Sequence, residues 1–508
     1  MQASNIQRRK QGAAVPAGEA APCSLECLSP EDEMMDVLLV NPRFNGKSEI
    51  PPLGLVSLAA PLLERDMKVS VLDLDILSEK EADVSLKRVL EEERPSIVGV
   101  TSLSDSFESA MAVCKAVKCQ NTDTLTVLGG IHATVLSGAI LDDQENLDMV
   151  VRGEGENSLC ELAGRVLKGL DPRGIDGVSF REGGKIVHNR DRDFEKDLDI
   201  LPIPAHHLLE NRLYWTRSIS SSRGCVHNCT FCSIQSQYHH RVRMRSTGSL
   251  IKEIKQLVNL GAKRIMFTDD NFTFSLKRIR ELCKGITDEG FANTIEFYAE
   301  GRIDDICRNP IMAQTLSNVG FRALYVGAES GSSKILSYYR KDIEPDDILQ
   351  GISFCVEQNL APVVNFILMG PRDTTDTILE TISLAKHAFE KGAEIAYAET
   401  LIPYPGTPVQ EELVKDGKYR EKGSIFYFES YEGMKLDWFL QLCDVAREIT
   451  EMIHSGDKHH ETKKAYYELS YLGEMLKKRV PVTFKEYRAR CAGEMACGIE
   501  RRMGLLFS

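Results

Sequence analysis

Short apolar runs recur along this chain at the spacing of strand–helix–strand units, and they do so in two separate series. The first series begins at Asp36. Val37-Leu38-Leu39-Val40, Val69-Ser70-Val71-Leu72, Ile97-Val98-Gly99-Val100 and Leu125-Thr126-Val127-Leu128 have the length and composition of buried strands, and Met149-Val150-Val151 follows them. Helical periodicity separates the runs. Phe107, Met111, Cys114 and Val117 share one helix face, which makes Cys114 a packing residue. Alternation of this kind predicts a doubly wound parallel sheet.

The second series starts near Ser218. Its expected strands are Arg217–Ser221, Arg264–Thr268, Thr294–Tyr298, Ala323–Gly327, Val363–Met369 and Glu394–Thr400. Leu250, Ile254, Leu257 and Val258 form one intervening amphipathic stripe, which Gly261 stops; Ile378, Ile382, Ala385 and Phe389 form another. Six right-handed β/α units curve toward a barrel but fall short of the eight that close one. The expected fold is therefore α/β: a doubly wound sheet over 35–170, a connector over 171–210 with a hairpin around Gly183-Gly184, and a partial (β/α)6 barrel over 211–415. Residues 1–34 read as a disordered tail, and 416–508 as a charged, helical C-terminal region in which strand signals stop from about Glu411 and Trp438 to Ile453 is the clearest amphipathic run.

Bulk properties narrow the setting. No apolar run reaches the ~18 residues of a membrane span, and no apolar stretch follows the basic start of the chain, so neither a membrane protein nor a secreted one is expected. The net charge of −13 disfavours a nucleic-acid backbone as the main partner. The 14 cysteines lack a secreted-framework spacing, which points to a reducing cytoplasm where clustered cysteines serve as ligands or nucleophiles. Cys23 and Cys27 read as incidental thiols of the tail, and Cys491 and Cys497 could join an auxiliary cluster, although two thiols are few for one.

One segment carries the chemistry: Arg223-Gly224-Cys225-Val226-His227-Asn228-Cys229-Thr230-Phe231-Cys232. Its three cysteines, at C-x₃-C-x₂-C, directly follow the first strand of the second series, at the end where barrel enzymes place their sites. Three close thiolates suit zinc or an iron–sulfur cluster. Structural zinc needs a fourth ligand, for which His227, His239 or His240 would serve. A [4Fe–4S] cluster on Cys225, Cys229 and Cys232 keeps one iron without a protein ligand, open to a substrate or cofactor. Polar groups recur at the later strand ends: Asp269 and Asp270, Arg302, and Glu329 with Ser330. For the acids and Arg302, capping or ion pairing of the strand ends is the competing role. Arg241, Arg243 and Arg245 could grip a phosphate or carboxylate, or lie salt-bridged on the surface.

C-x₃-C-x-aromatic-C, with Phe231 as the aromatic, opening a partial β/α barrel resembles the radical S-adenosylmethionine (SAM) enzymes. The resemblance implies that the open iron chelates SAM and that an electron from the cluster cleaves it to methionine and a 5′-deoxyadenosyl radical. It also implies that Glu329 and Ser330 bind the adenosyl moiety and that a flavodoxin or ferredoxin supplies the electron. The domain ahead of the barrel resembles that of the cobalamin-binding subgroup through Asn41-Pro42-Arg43, Pro51-Pro52-Leu53-Gly54, Gly129-Gly130-Ile131-His132-Ala133-Thr134 and Arg152-Gly153-Glu154-Gly155-Glu156. This implies cobalamin across the C-terminal strand ends, with Gly129, Gly130, His132 and Glu154 as cofactor-side candidates. The histidine motif that ligates cobalt in other cobalamin proteins is absent: the second strand ends Asp73-Leu74-Asp75-Ile76-Leu77. The activity so implied is methylation of an unactivated carbon of a small molecule, one SAM methylating cobalamin and a second giving the radical. An oxidative cyclase or ring-rearranging enzyme of the same architecture is the alternative. A methylthiotransferase is disfavoured because the loop Asn41 to Gly54 has no cysteine, and a zinc-stapled binding protein is the reading outside enzymes.

Overall fold

In the computed structural model, which describes residues 34–44, 50–210, 213–422 and 425–428, both series fold into sheets. The first comprises β1 (Val37–Asn41), α1 (Leu53–Leu63), β2 (Val69–Asp73), α2 (Glu79–Glu92), β3 (Ile97–Thr101), α3 (Phe107–Gln120), β4 (Leu125–Gly129), α4 (Ile131–Asp143), β5 (Met149–Val151) and α5 (Glu156–Val166). The strand order begins β2-β1-β3-β4-β5, and β1 pairs in parallel with both β2 and β3. The chain thus winds one way from β1 and then crosses to its other side, which opens a crevice at the C-terminal ends of β1 and β3. β1 is apolar from Val37 to Val40 because it is covered on both faces there. Val37 and Leu39 pack with α1 and α5, while Leu38 and Val40 pack with α2, α3 and α4. The segment 171–210 adds two strands to this sheet, β6 (Val178–Glu182) and β7 (Lys185–His188). They pair antiparallel at the β5 edge. Gly183 and Gly184 turn the hairpin with φ of 56° and 75°, as a primed two-residue turn requires.

The second series opens with β8 (Arg217–Ile219), β9 (Ser222–Arg223), α6 (Ile234–Tyr238), β10 (Arg243–Met244), α7 (Thr247–Asn259), β11 (Arg264–Phe267), α8 (Leu276–Asp288) and β12 (Glu296–Gly301). It continues through α9 (Ile303–Arg308), α10 (Ile311–Ser317), β13 (Phe321–Glu329), α11 (Ser333–Tyr338), α12 (Pro345–Glu357), β14 (Ala361–Leu368), α13 (Thr375–Glu390), β15 (Glu394–Thr400) and α14 (Pro408–Lys415). Six strands, in the order β15-β14-β13-β12-β11-β8, form one parallel sheet. β8 and β15 are its edges, so the ring of strands is not closed. Gly261 ends α7 in a Schellman turn: its φ is 88°, its N–H reaches the Val258 carbonyl (2.9 Å), and that of Ala262 reaches Leu257 (2.9 Å). Phe267, Phe297 and Phe321 stack between β11, β12 and β13 at centroid distances of 5.3–6.2 Å. Such pairs contribute about 0.5–1.5 kcal/mol each beyond area burial and fix the relative heights of the strand ends that carry the site.

Past Glu411 the structure departs from expectation. Two further strands, β16 (Tyr419–Lys422) and β17 (Ile425–Phe428), pair antiparallel. β16 reads Tyr-Arg-Glu-Lys and so offers no apolar run to recognise. The run Trp438 to Ile453 and Cys23, Cys27, Cys491 and Cys497 lie outside the described residues. Among the described residues no helix is long and apolar enough to cross a membrane.

Candidate active site

The cysteine loop is closed at its base. β9 and β10 pair antiparallel, setting Arg223 opposite Arg243, so 224–242 leave and return at one point. Gly224 allows this: its φ is 88°, and a Cβ would lie 2.0 Å from the Arg241 carbonyl oxygen. Its N–H donates to Asp270 Oδ2 (2.7 Å). Inside the loop Gln235 Nε2 donates to the Cys225 carbonyl (3.0 Å) and to that of His227. Thr230 ties the loop to α11, its N–H donating to the Tyr339 carbonyl (3.2 Å) and its hydroxyl to that of Tyr338 (3.1 Å). Phe231 meets the Tyr339 ring edge-on at 5.1 Å.

Cys225, Cys229 and Cys232 are half-buried and unpaired as disulfides. Burial pushes the Cys225 thiol up and the Cys232 thiol up to about 12, so both hold their protons until a cation takes their place. Arg302 Nη1 donates to Cys229 Sγ at 3.5 Å. Among the described residues no three His, Cys, Asp or Glu side chains converge as ligands of a single ion would. Thiolates of a cubane sit on different irons and need no such convergence. Three half-buried thiols on a pinned loop, one already facing a cationic donor, fit a cluster. His239 and His240 are exposed beyond α6.

The strand-end acids organise the approach to this loop. Asp269 is 1% exposed and accepts from the Ser221 N–H (2.9 Å) and the hydroxyls of Ser221 (2.6 Å) and Ser222 (2.5 Å). Burial pushes its carboxyl up, against those bonds. Asp270 is exposed, yet loss of hydration beside the loop raises it to about 6, against the Gly224 N–H. Glu300, near the end of β12, is exposed, yet loss of hydration among neighbouring protein atoms raises it to about 7, with the charges of Asp270 and Asp269 adding to the effect.

Glu329 and Ser330 end β13 in different environments. Glu329 has φ of 62°, and its Oε1 accepts from Lys341 Nζ (2.9 Å). Ser330 is fully buried, its hydroxyl bonded to Thr381 Oγ1 (2.9 Å) and to the Ser332 N–H (3.1 Å). Glu329 therefore stays near the loop through Lys341 and Arg302, whereas Ser330 is engaged in shaping the turn.

A cavity of about 350 Å³ lies where the two sheets meet. Gly54, Gly99, Gly129, Gly130, Gly153 and Glu154 wall it from the first domain; Ser220, Ser222, Arg223, Tyr238, Thr268 and Asp270 wall it from the second. A Cβ on Gly54 or Gly153 would meet nothing within 4 Å, and one on Gly129 only the Val151 carbonyl at 3.8 Å. Side chains would fill this cradle, so glycines keep room there for a flat ligand. Gly153 also has a left-handed φ, of 72°; Gly130 differs in combining φ of 97° with a Cβ position 2.5 Å from the Ser102 carbonyl. Among the described residues no histidine lines the cavity. His132 is not brought to the wall: its Nδ1 lies 3.0 Å from Ser104 Oγ, its ring packs on Phe107 at 4.7 Å, and burial lowers it to about 4, leaving it neutral. The room, and the lack of an imidazole among the described lining residues, fit a corrin held without a protein histidine on cobalt.

Glu154 joins the domains. Its carboxylate accepts from Arg223 (2.9 Å) and Arg243 (2.7 and 2.8 Å), while Arg223 also reaches Glu156 (2.6 Å). Burial opposes its ionisation, but Arg243 and Arg223 prevail and hold its carboxyl below the usual range. Arg245 is paired with the buried Glu253. Arg243 and Arg245 thus take the ion-paired role weighed for this stretch, while Arg241 is exposed, 6.0 Å from the Phe194 ring centroid. Sequence reasoning missed the roles of Lys341, Gln235 and Arg223; only the position of Arg223, next to the first glycine of the loop, was a signal.

Comparison with known proteins agrees with this arrangement. Residues 219–385 match the radical SAM superfamily model and residues 43–163 the B12 binding domain model. An uncharacterized methyltransferase of Pyrococcus horikoshii is 32% identical over 398 residues, covering 75% of this chain and 84% of the relative. The anaerobic magnesium-protoporphyrin IX monomethyl ester cyclase of Cereibacter sphaeroides is 24% identical, covering 78% and 66%. The solved radical SAM methyltransferase TsrM of Kitasatospora setae, with cobalamin and a [4Fe-4S] cluster bound, shares the fold with a TM-score of 0.64 at 21% identity, over 75% of this chain and 78% of that one.

Proposed function

Because the chain belongs to the radical SAM enzymes that carry a B12-binding domain, we propose that it transfers a methyl group from SAM to an unactivated carbon of a small molecule. One observation carries the reading: the glycine cradle at the first sheet's edge and the residues leading into the cysteine loop wall the same cavity. A methyl carrier and a radical source would need that common space. When bound, the cluster would supply an electron to cleave SAM, and the corrin would carry the methyl group.

The chain's own residues divide as follows in this reading. Cys225, Cys229 and Cys232 hold the cluster, and Phe231, braced by Tyr339, keeps the loop's shape. Glu329 faces SAM from β13. Gly54, Gly129 and Gly153 give the corrin room, and Glu154 holds the loop's base against the first domain. Ser330 and His132 serve packing and turn geometry. A flavodoxin or ferredoxin of a reducing cytoplasm would donate the electron. Methyltransferase naming of the Pyrococcus horikoshii relative favours methyl transfer; the cyclase relatives keep oxidative cyclisation as the second reading.

The test is turnover of cell extract metabolites by anaerobically reconstituted protein with methyl-labelled SAM. Methyl transfer predicts labelled product, with S-adenosylhomocysteine and 5′-deoxyadenosine formed in comparable amounts. Turnover that yields 5′-deoxyadenosine without label transfer or S-adenosylhomocysteine would discard it in favour of cyclisation or rearrangement.

A further inference from the structure

Arg302 is 6% exposed and lies at the end of β12, far in sequence from the cysteine loop. A buried guanidinium must have its donors satisfied. Nε donates to Asp304 Oδ1 (2.8 Å), and Nη2 donates to Asp304 Oδ2 (3.2 Å) and to the Lys341 carbonyl (2.7 Å). That uses three of the five N–H groups and fixes the plane of the fork. Nη1 is left facing the loop, with one N–H on Cys229 Sγ at 3.5 Å. Asp304 is held in turn by Arg308, and Lys341 by Glu329. The guanidinium cannot turn away from the thiol without breaking this frame.

We propose that Arg302 is a positioning residue that tunes the cluster, donating to the Cys229 thiolate so that the cluster accepts its electron at a less negative potential. The inference rests on the reading of Cys229 as a cluster ligand. Its physics is direct. One electron from a low-potential donor adds one negative charge to the cluster, and a fixed cation with an N–H aimed at a ligand sulfur stabilises the more negative form. Asp304 offsets the charge of Arg302 but lies on the far side of the fork, so the N–H dipole at Nη1 still points at sulfur.

The experiment is a redox titration of reconstituted full-length protein, followed by electron paramagnetic resonance of the reduced cluster and accompanied by iron and sulfide analysis. Arg302→Met should retain iron and lower the reduced-to-oxidised ratio at fixed potential about tenfold, which for one electron is a shift of about 59 mV to more negative values. Arg302→Lys keeps the charge but not the fork and should shift less. A wild-type midpoint in iron-replete Arg302→Met overturns the proposal. Should that variant lose iron, Arg302→Lys and Asp304→Asn decide the matter: shifted midpoints support it and unshifted ones overturn it. Wild-type protein that binds no iron–sulfur cluster would instead overturn the cluster reading, and this inference with it.

Discussion

Gly54 offers a perturbation whose two effects have opposite signs. It lies in the first turn of α1, its φ is not left-handed, and a Cβ would meet no atom within 4 Å because the position faces the cavity. In the empty protein, Gly54→Ala removes backbone freedom from the unfolded chain and adds a good helix former. The gain in a helix interior is about 0.5–1 kcal/mol, and the first turn should realise the lower end. For a chain this long that raises the melting temperature by no more than ~2 °C. With cobalamin the sign reverses. A methyl group pushed into space the ring needs costs about 1–3 kcal/mol of overpacking, or roughly 5- to 150-fold in affinity. Gly54→Phe should abolish retention. The assay pairs thermal melts of the empty protein with absorbance titration of hydroxocobalamin and retention after desalting. The reasoning fails if folded Gly54→Phe binds as wild type does. It fails equally if Gly54→Ala lowers the stability of the empty protein, since the Cβ would then have met something.

Replacing Cys225, Cys229 and Cys232 by Ala should remove the ~4 irons of the reconstituted protein and all 5′-deoxyadenosine formation; unchanged iron would refute the ligand set. The cobalt(II) form should show no nitrogen hyperfine splitting from a protein imidazole in its paramagnetic resonance spectrum, since His132 is turned to Ser104 and Phe107. Glu154→Gln should cost about 2–3 kcal/mol in urea denaturation, below the 3–5 typical of a broken buried pair, because Arg223 keeps Glu156 and Arg243 keeps the Glu195 carbonyl. Glu154 has a depressed carboxyl value, so its contribution is full above the ordinary glutamate value and is lost as pH falls through the depressed one. The deficit of the variant should therefore narrow in acid, and a deficit independent of pH would contradict the ion-pair account.

Much of the architecture was legible because it is local. Strands buried on both faces read as continuous apolar runs, so β1, β3 and β4 stand out in a few residues each. The cysteine loop is likewise a ten-residue pattern. What stayed hidden depends on the tertiary path. Arg302 and Cys229 are 73 positions apart, and Arg223 and Glu154 69. No window on the chain contains either pair, and a lone Arg or Glu at a strand end is equally compatible with capping. His132 was open to two roles, a neighbour of the ring or a satisfied histidine at a helix start, for the same reason. A histidine just after Gly129-Gly130 resembles a ligand-side residue, and only the packing of α3 against α4 reveals that Phe107 and Ser104 already occupy its faces.

The net charge of −13 is a poor guide to the site itself. The buried cations near the cysteine loop each answer a carboxylate: Arg223 and Arg243 answer Glu154 across the domains, Lys341 answers Glu329, and Arg302 answers Asp304 two residues on. These pairs cancel charge while fixing geometry, which is the better-supported use of partly buried ion pairs, because desolvation offsets most of their attraction. Asp270 and Glu300 stand apart. No cation lowers either, and loss of hydration among neighbouring protein atoms lifts them, exposed as they are, to about 6 and about 7. Near neutral pH Glu300 is therefore about half protonated, whereas Asp270 stays largely ionised. The site's electrostatics follow from which carboxylates the fold pairs and which it leaves alone, a property of the three-dimensional path that no sum over the sequence contains.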